Sequence, residues 1–242
     1  MGQIETLAET GSTNADLAAR VRGGEAIAEG YWLLADRQSA GRGRQGRMWS
    51  DAAGNFMGST IVHMTGREPA PATLALVAGL ALYETVLPRM MLPAQLELKW
   101  PNDLLLAGAK LAGILLEREG DAVVVGMGVN LAKAPRIAGV KAVSLGQFGP
   151  APDRDAFASD LALHFEHEVA RWRTFGLDPV LARWCAAAHP EGTRLNVSGG
   201  GTERVEGSFA GLASDGALKL RLADGGVRLV HAGDVSLGGE QE

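Results

Sequence analysis

The stretch LELKWPNDLLLAGAKLAGILLEREGDAVVVGMGVN, residues 96–130, decides the fold. It holds strand-like apolar runs at 96–100, 104–106, 111–119 and 122–129. Turn sequences at 107–109 and 120–121 connect the last three runs, and such short connections join antiparallel strands. The stretch therefore predicts two successive hairpins in an antiparallel or mixed sheet, and it argues against a doubly wound parallel sheet.

Helical patterns flank this sheet on both sides in the sequence. An N-terminal helix capped by Ser12 or Thr13 precedes a buried strand at 31–35, and further helices are predicted at 73–87, 157–172 and 177–188. After Pro190 the helical patterns stop, and short β-like runs divided by Gly and Asp follow at 194–197, 205–209, 217–222 and 227–230. We therefore predict an α+β protein with two domains, 1–190 and 191–242, the second a small β-barrel of about five strands.

Composition excludes several classes of protein. The net charge of −5 gives no overall basic footprint for nucleic acid. No apolar run reaches the ~18 residues expected of a membrane helix, and the first residues lack the basic start and apolar core of a secretory signal. A single cysteine, Cys185, excludes an internal disulfide and a Cys-rich zinc module. We expect a cytoplasmic protein with neither DNA nor membrane as a partner.

The most unusual stretch is an Arg/Gly-rich loop at 37–49. It places Arg42, Arg44 and Arg47 within six residues, with glycines between them. The spacing formally fits G-x-G-x-x-G, but neither a strand directly before it nor a helix directly after it supports a dinucleotide site. A solvated basic loop is one alternative. The other is an anion clamp, in which guanidinium groups bind phosphate or carboxylate and Trp49 covers the ligand.

A second candidate is the block 99–103 followed by Lys110. Asn102 and Asp103 either cap a turn or orient a nucleotide or a hydrated Mg²⁺. Lys110 begins an otherwise apolar strand, where it either extends to solvent or directs a fixed cation into a pocket. The spacing leaves both pairs of alternatives open.

Two further motifs are weaker. Residues 126–130, Gly-Met-Gly-Val-Asn, form either a bulge and turn or a close approach to a ligand beside Asn130. Residues 11–14, Gly-Ser-Thr-Asn, either only cap the first helix or also hold a polar ligand group. His164 and His167 share a helix face, but no third ligand is evident and we predict no metal there.

Taken together and in this order, these four motifs resemble those of the biotin–protein ligases. The resemblance extends over nearly the whole chain, including the β-rich tail. It implies a class II synthetase-like catalytic domain with an SH3-like C-terminal barrel. Because the first motif begins at Gly11, we expect the short form of the family, without a DNA-binding repressor domain.

The resemblance also implies roles for individual residues. It implies catalytic roles for Lys110, Arg42 and Arg44, with Lys110 bridging the biotin carboxylate and the α-phosphate. It implies that biotin contacts Ser12, Thr13, Asn14, Gln38, Gly41, Arg42, Gly43, Arg44, Lys110 and Gly113. It implies that the nucleotide contacts Arg44, Arg47, Trp49, Asn102 and Asn130.

The implied reaction joins biotin to ATP as biotinyl-5′-AMP and then transfers biotin to a lysine of a biotin carboxyl carrier protein. Mg²⁺ would accompany ATP near Asp103 without a tight protein ligand set. A homodimer formed at a sheet edge is compatible with the resemblance, and the sequence does not decide it. The alternatives are a lipoate–protein ligase, whose members lack this combination of motifs, and a catalytically inactive small-molecule sensor, which the intact Lys110 and arginines disfavour.

Overall fold

The structure is a computed structural model, and it describes residues 2–50, 52–90, 95–136, 141–198 and 204–238. Its first part carries strands β1 (Ile4–Leu7), β2 (Trp32–Ala35), β3 (Phe56–His63), β4 (Leu96–Lys99), β5 (Asp103–Leu106), β6 (Ala109–Glu119) and β7 (Ala122–Val129). The helices are α1 (Thr13–Arg22), α2 (Leu74–Val86), α3 (Arg154–Phe175) and α4 (Asp178–Ala187). The last strands are β8 (Arg194–Ser198), β9 (Arg204–Leu212), β10 (Leu218–Arg221), β11 (Val227–Val230) and β12 (Asp234–Leu237).

The larger sheet has seven strands in the order β1-β2-β3-β7-β6-β5-β4. Only the β1–β2 pair is parallel among the described strands, and the predicted hairpins β5–β6 and β6–β7 are both present. The predicted α+β fold with a mixed sheet is therefore confirmed. In the register, Gly128 of β7 lies between Gly113 of β6 and Met57 of β3, which leaves a side-chain-free strip near the middle of the sheet.

Helices cover both faces of this sheet. On one face α1 packs over Leu33, Ile61 and Val124. On the other face α2 is buried along most of its length and contacts α3 and α4. With its flanking turns, the segment Pro71–Arg89 is long and apolar enough to cross a membrane by length and composition alone, so the expectation that no segment reaches this length was wrong. Its packing against the sheet and two helices is that of a core helix.

The C-terminal strands form a second, antiparallel sheet in the order β11-β10-β9-β8-β12. This agrees with the predicted small barrel, and the boundary predicted near 190 falls in the connection between α4 and β8. Apolar residues of both sheets and of the helices share one core, in which Trp184 of α4 contacts Phe209 of β9. The sequence patterns missed β1 and β12, because each is a four-residue edge strand with too few positions to show an alternation.

Candidate active site

The start of α1 forms a buried polar cluster on the sheet. Ser12 caps the helix, and Thr13 and Asn14 are buried although both are polar. The backbone N–H of Thr13 donates to Gln38 Oε1 at 2.8 Å, and its hydroxyl lies 2.7 Å from Ser59 Oγ. Hydrogen bonds to Gln38 and to Ser59 of β3 thus fix Thr13, one of the residues for which the resemblance implies a contact with biotin.

Asn14 is held from both ends. Its Oδ1 accepts from Ser59 Oγ at 2.7 Å, and its Nδ2 donates to Glu117 Oε2 at 2.8 Å. It lies directly over Gly126, where a Cβ atom would come 2.2 Å from Asn14 Oδ1. Close packing against Asn14 therefore requires a glycine at position 126. The sequence analysis did not identify Ser59 and Glu117 as partners of Asn14.

The Arg/Gly loop folds back on itself. The N–H of Trp49 donates to Gly41 O at 2.9 Å, and Arg42 forms an isolated antiparallel bridge with Met48. Between them lies a 3-10 turn, Arg44–Gly46, in which Gln45 has a φ of 56°. Among the described residues, no α-helix starts directly after this loop, so the dinucleotide interpretation has no support. Arg42 and Arg47 are exposed, whereas Arg44 is partly buried.

Trp49 returns from this loop onto the glycine strip of the sheet. A Cβ atom at Gly128 would lie 2.3 Å from Trp49 Cε2, and one at Gly113 would lie 3.2 Å from Trp49 Cζ3 and from Lys110 Nζ. Trp49 Nε1 is buried, and no hydrogen-bond partner for it exists among the described residues. A buried donor without a partner costs free energy, which a ligand acceptor would recover.

Asp103 holds the two lysines of the site. Its carboxylate lies 2.6 Å from Lys110 Nζ and 3.0 Å from Lys99 Nζ, and only 11% of its side chain is exposed. Burial acts to raise the pKa of Asp103, but the two ammonium groups outweigh it and keep this pKa below its usual value. The carboxylate is therefore ionised at neutral pH. Each carboxylate oxygen lies beside one ammonium group, Oδ1 beside that of Lys110 and Oδ2 beside that of Lys99.

Arg44 connects the loop to the rest of the site. It donates to Asn102 Oδ1 at 3.1 Å and to Gly233 O, at the start of β12, also at 3.1 Å. Asn102 in turn donates to Ile114 O at 2.7 Å. The loop arginine and the 99–103 block, which are distant in sequence, thus meet through one amide side chain.

Asn130 and Arg42 are placed differently from the other predicted residues. Asn130 is 2% exposed, and its amide donates to Val143 O at 3.1 Å and to Lys110 O at 3.4 Å. Its amide donor therefore holds the backbone that carries Lys110. Arg42 has an exposed side chain on the outer side of the loop.

The charges of the site do not balance within it. Among the described residues, Arg44, Arg47, Lys99 and Lys110 share two carboxylate partners, Asp103 and Asp234. A cleft of about 520 Å³, lined in part by Arg44, Asn102, Leu116 and Trp100, opens beside them. Four cations that share two carboxylates, next to this cleft and to the buried polar cluster at the start of α1, suit a ligand that carries several negative charges.

The comparisons with known proteins show the family of this chain. The sequence profile of the biotin/lipoate A/B protein ligase family matches residues 12–131, and the profile of the biotin protein ligase C-terminal domain matches residues 193–238. A biotin–[acetyl-CoA-carboxylase] ligase of Paracoccus denitrificans is 40% identical, covering 96% of this chain and all of the relative. The chain belongs to the biotin protein ligase family.

Two further relatives show how far the likeness extends. A protein of the same name from Mycobacterium tuberculosis is 40% identical, with 96% of this chain and 88% of the relative covered. The solved structure of a biotin protein ligase from Aquifex aeolicus, in complex with biotin and ATP, superposes with a TM-score of 0.85. It covers 98% of this chain and 99% of its own at 24% identity, which establishes a shared fold.

Proposed function

We propose that this chain activates biotin with ATP and transfers it to a lysine of a biotin carboxyl carrier protein. It is a biotin–protein ligase, as its relatives over nearly their full length are named. One observation carries the site assignment: among the described residues, four cations share only two carboxylates, Asp103 and Asp234, beside the buried polar cluster of Thr13 and Asn14.

The chemistry of the first step needs such an arrangement. A biotin carboxylate oxygen attacks the α-phosphorus of ATP, and the bond from that phosphorus to the departing pyrophosphate breaks. Both reactants are anions, so cations must offset their repulsion and the charge that grows on the leaving group. In this proposal Lys110 bridges the carboxylate and the α-phosphate, and its ion pair with Asp103 supports that role because it fixes the ammonium group. Arg44 and Arg47 supply charge for the phosphates.

The second step needs no nucleophile from the enzyme. The amine of the carrier lysine attacks the acyl carbon of biotinyl-5′-AMP, AMP leaves with the bonding electrons, and the amine loses a proton. Trp49 and the folded loop lie over the strip of sheet between Gly113 and Gly128, which suits them to shield the mixed anhydride from water.

The remaining assignments belong to the same proposal. Ser12, Thr13, Asn14, Gln38, Gly41, Arg42, Gly43 and Gly113 surround biotin, and Trp49, Asn102 and Asn130 contact the adenylate. Asn130 also donates a hydrogen bond to the backbone carbonyl of Lys110. Mg²⁺ enters with the triphosphate, and the reaction takes place in the cytoplasm on the carrier domain of acetyl-CoA carboxylase or a related carboxylase.

Biotin-dependent ATP–pyrophosphate exchange tests the function directly. Exchange is expected with biotin and absent with lipoate, and Lys110→Ala should reduce it while Lys219→Ala, on the C-terminal sheet, should not. Exchange with lipoate alone would favour a lipoate ligase. Calorimetric binding of biotin without any exchange would indicate a sensor.

A further inference from the structure

The start of β12 binds three cations of the catalytic domain in succession. Gly233 O accepts from Arg44 at 3.1 Å, Asp234 Oδ1 accepts from Arg47 at 2.7 Å, and Val235 O accepts from Lys99 at 3.0 Å. Asp234 Oδ1 also lies 3.9 Å from a terminal nitrogen of Arg44. Arg44 and Arg47 belong to the Arg/Gly-rich loop, and Lys99 belongs to the 99–103 block. Their acceptors lie in the C-terminal sheet, 189, 187 and 136 residues further along the chain.

The loop needs this support. Three arginines within six residues repel one another, and the described contacts inside the loop are few: the Trp49–Gly41 hydrogen bond, the Arg42–Met48 bridge, and hydrogen bonds from Gly43 N and Arg47 to backbone carbonyls. Arg44 has neutral acceptors in Asn102 and Gly233, but Arg47, whose side chain is 60% exposed, has its only described carboxylate partner in Asp234. Asp234 is thus the carboxylate that holds Arg47, the residue directly after the Arg44–Gly46 turn.

We propose that Asp234 is a positioning residue of the C-terminal domain, which holds Arg47 and the Arg44–Gly46 turn in the arrangement that receives the triphosphate. This inference rests on the proposed nucleotide role of Arg44 and Arg47. It makes the C-terminal sheet part of the nucleotide site without giving it a contact to the reacting atoms. Loss of the Asp234 carboxylate should weaken nucleotide binding and leave both biotin binding and the maximal rate of adenylation nearly unchanged.

The test is Asp234→Asn, which keeps the shape of the side chain and removes its charge. The KM for ATP in pyrophosphate exchange should rise roughly threefold to fivefold, as expected for a partly exposed ion pair. The kcat and the calorimetric Kd for biotin should stay within about twofold of wild type, and the rise in KM should shrink at high salt because the pair is screened. Asp234→Glu should restore most of the affinity.

Asp224→Asn is the matched control. It removes the same charge from the turn between β10 and β11, where the one hydrogen bond that Asp224 accepts from a described residue comes from the Gly226 N–H. Its KM for ATP should equal that of the wild type. Thermal unfolding of each variant separates a positioning effect from loss of the fold.

Arg47→Ala completes a double-mutant cycle. If the inference is right, Arg47→Ala raises the KM for ATP, and Asp234→Asn adds nothing further in that background. An unchanged or lowered KM for Asp234→Asn, alongside a raised KM for Arg47→Ala, would overturn the role of Asp234 alone. An unchanged KM for Arg47→Ala would overturn the nucleotide role of Arg47, and absence of biotin-dependent exchange in the wild type would overturn the proposed function.

Discussion

Gly128→Ala tests whether Trp49 lies against the sheet in the working enzyme. The added Cβ atom would lie 2.3 Å from Trp49 Cε2 and 2.5 Å from Cζ2, and this falls about 1.1 Å short of the 3.4 Å at which ordinary contacts begin. Gly128 is the next-to-last residue of β7, and it pairs with Met57 of β3 on one side and Gly113 of β6 on the other, so the strand cannot retreat. The indole ring must move instead.

Movement of the ring displaces the whole loop. The backbone of Trp49 is bonded to Gly41, and Met48 bridges to Arg42, so the arginines shift with the ring. A displacement of about 1 Å can cost on the order of 10²-fold in rate when reacting groups must be aligned. We therefore expect kcat/KM for biotin in pyrophosphate exchange to fall by about that factor, with thermal stability close to wild type because the clash is with a loop side chain.

Two further variants make the prediction sharp. Gly149→Ala is the control, because a Cβ atom there meets nothing within 4 Å. In a Trp49→Ala background, Gly128→Ala should cost almost nothing, since the clash has been removed. A Gly128→Ala enzyme within twofold of wild type would refute the placement of Trp49, and an equally large loss in the Trp49→Ala background would show that the methyl group acts on something else.

Three other predictions follow from the same contacts. Lys110→Ala should slow adenylation roughly 10²–10³-fold, the scale for loss of one preorganised charge, in single-turnover formation of biotinyl-5′-AMP; a rate near wild type would contradict its role. Gly126→Ala places a Cβ atom 2.2 Å from Asn14 Oδ1, so calorimetry should show much weaker biotin binding, and unchanged affinity would separate Asn14 from the pocket. Burial, together with the charge of Lys99, lowers the pKa of His189 from 6.5 to about 4. Between these values the unfolded chain binds the proton and the folded chain does not, so this histidine makes stability fall as the pH drops from 6.5 towards 4, by at most about 2 kcal/mol at pH 5. Urea unfolding of His189→Gln at pH 7 and pH 5 should therefore show a smaller loss than wild type, and equal losses would exclude the histidine as the cause.

The central hairpins were readable because their pattern is local. Residues 104–129 alternate between apolar runs and tight turns, and this fixes antiparallel pairing without reference to the rest of the chain. The capping of α1 by Ser12 was likewise a local feature, and it is present. The four-residue edge strands β1 and β12 carried no comparable signal, since their pairing depends on neighbours far away in sequence.

For the site, too, the sequence indicated local features but not the contacts between residues that are distant in the chain. The residue types in the motifs indicated an anion clamp as one alternative, beside a solvated basic loop and a lysine directed to solvent, and only the resemblance to a family favoured the first. The sequence did not indicate the partners that hold these groups: Ser59 and Glu117 on Asn14, the shared carboxylate of Asp103, and Asp234 on Arg47.

The sequence by itself thus determined the local strands, the caps and the charge of the site. The tertiary structure alone decided which face each charge occupies and what holds it there. The physical reason is range: hydrogen-bonding and apolar periodicity act over a few neighbouring residues, whereas an ion pair such as Arg47–Asp234 joins atoms 2.7 Å apart that lie 187 residues apart in the chain. Those two charges come together because the C-terminal sheet packs against the loop in the folded chain.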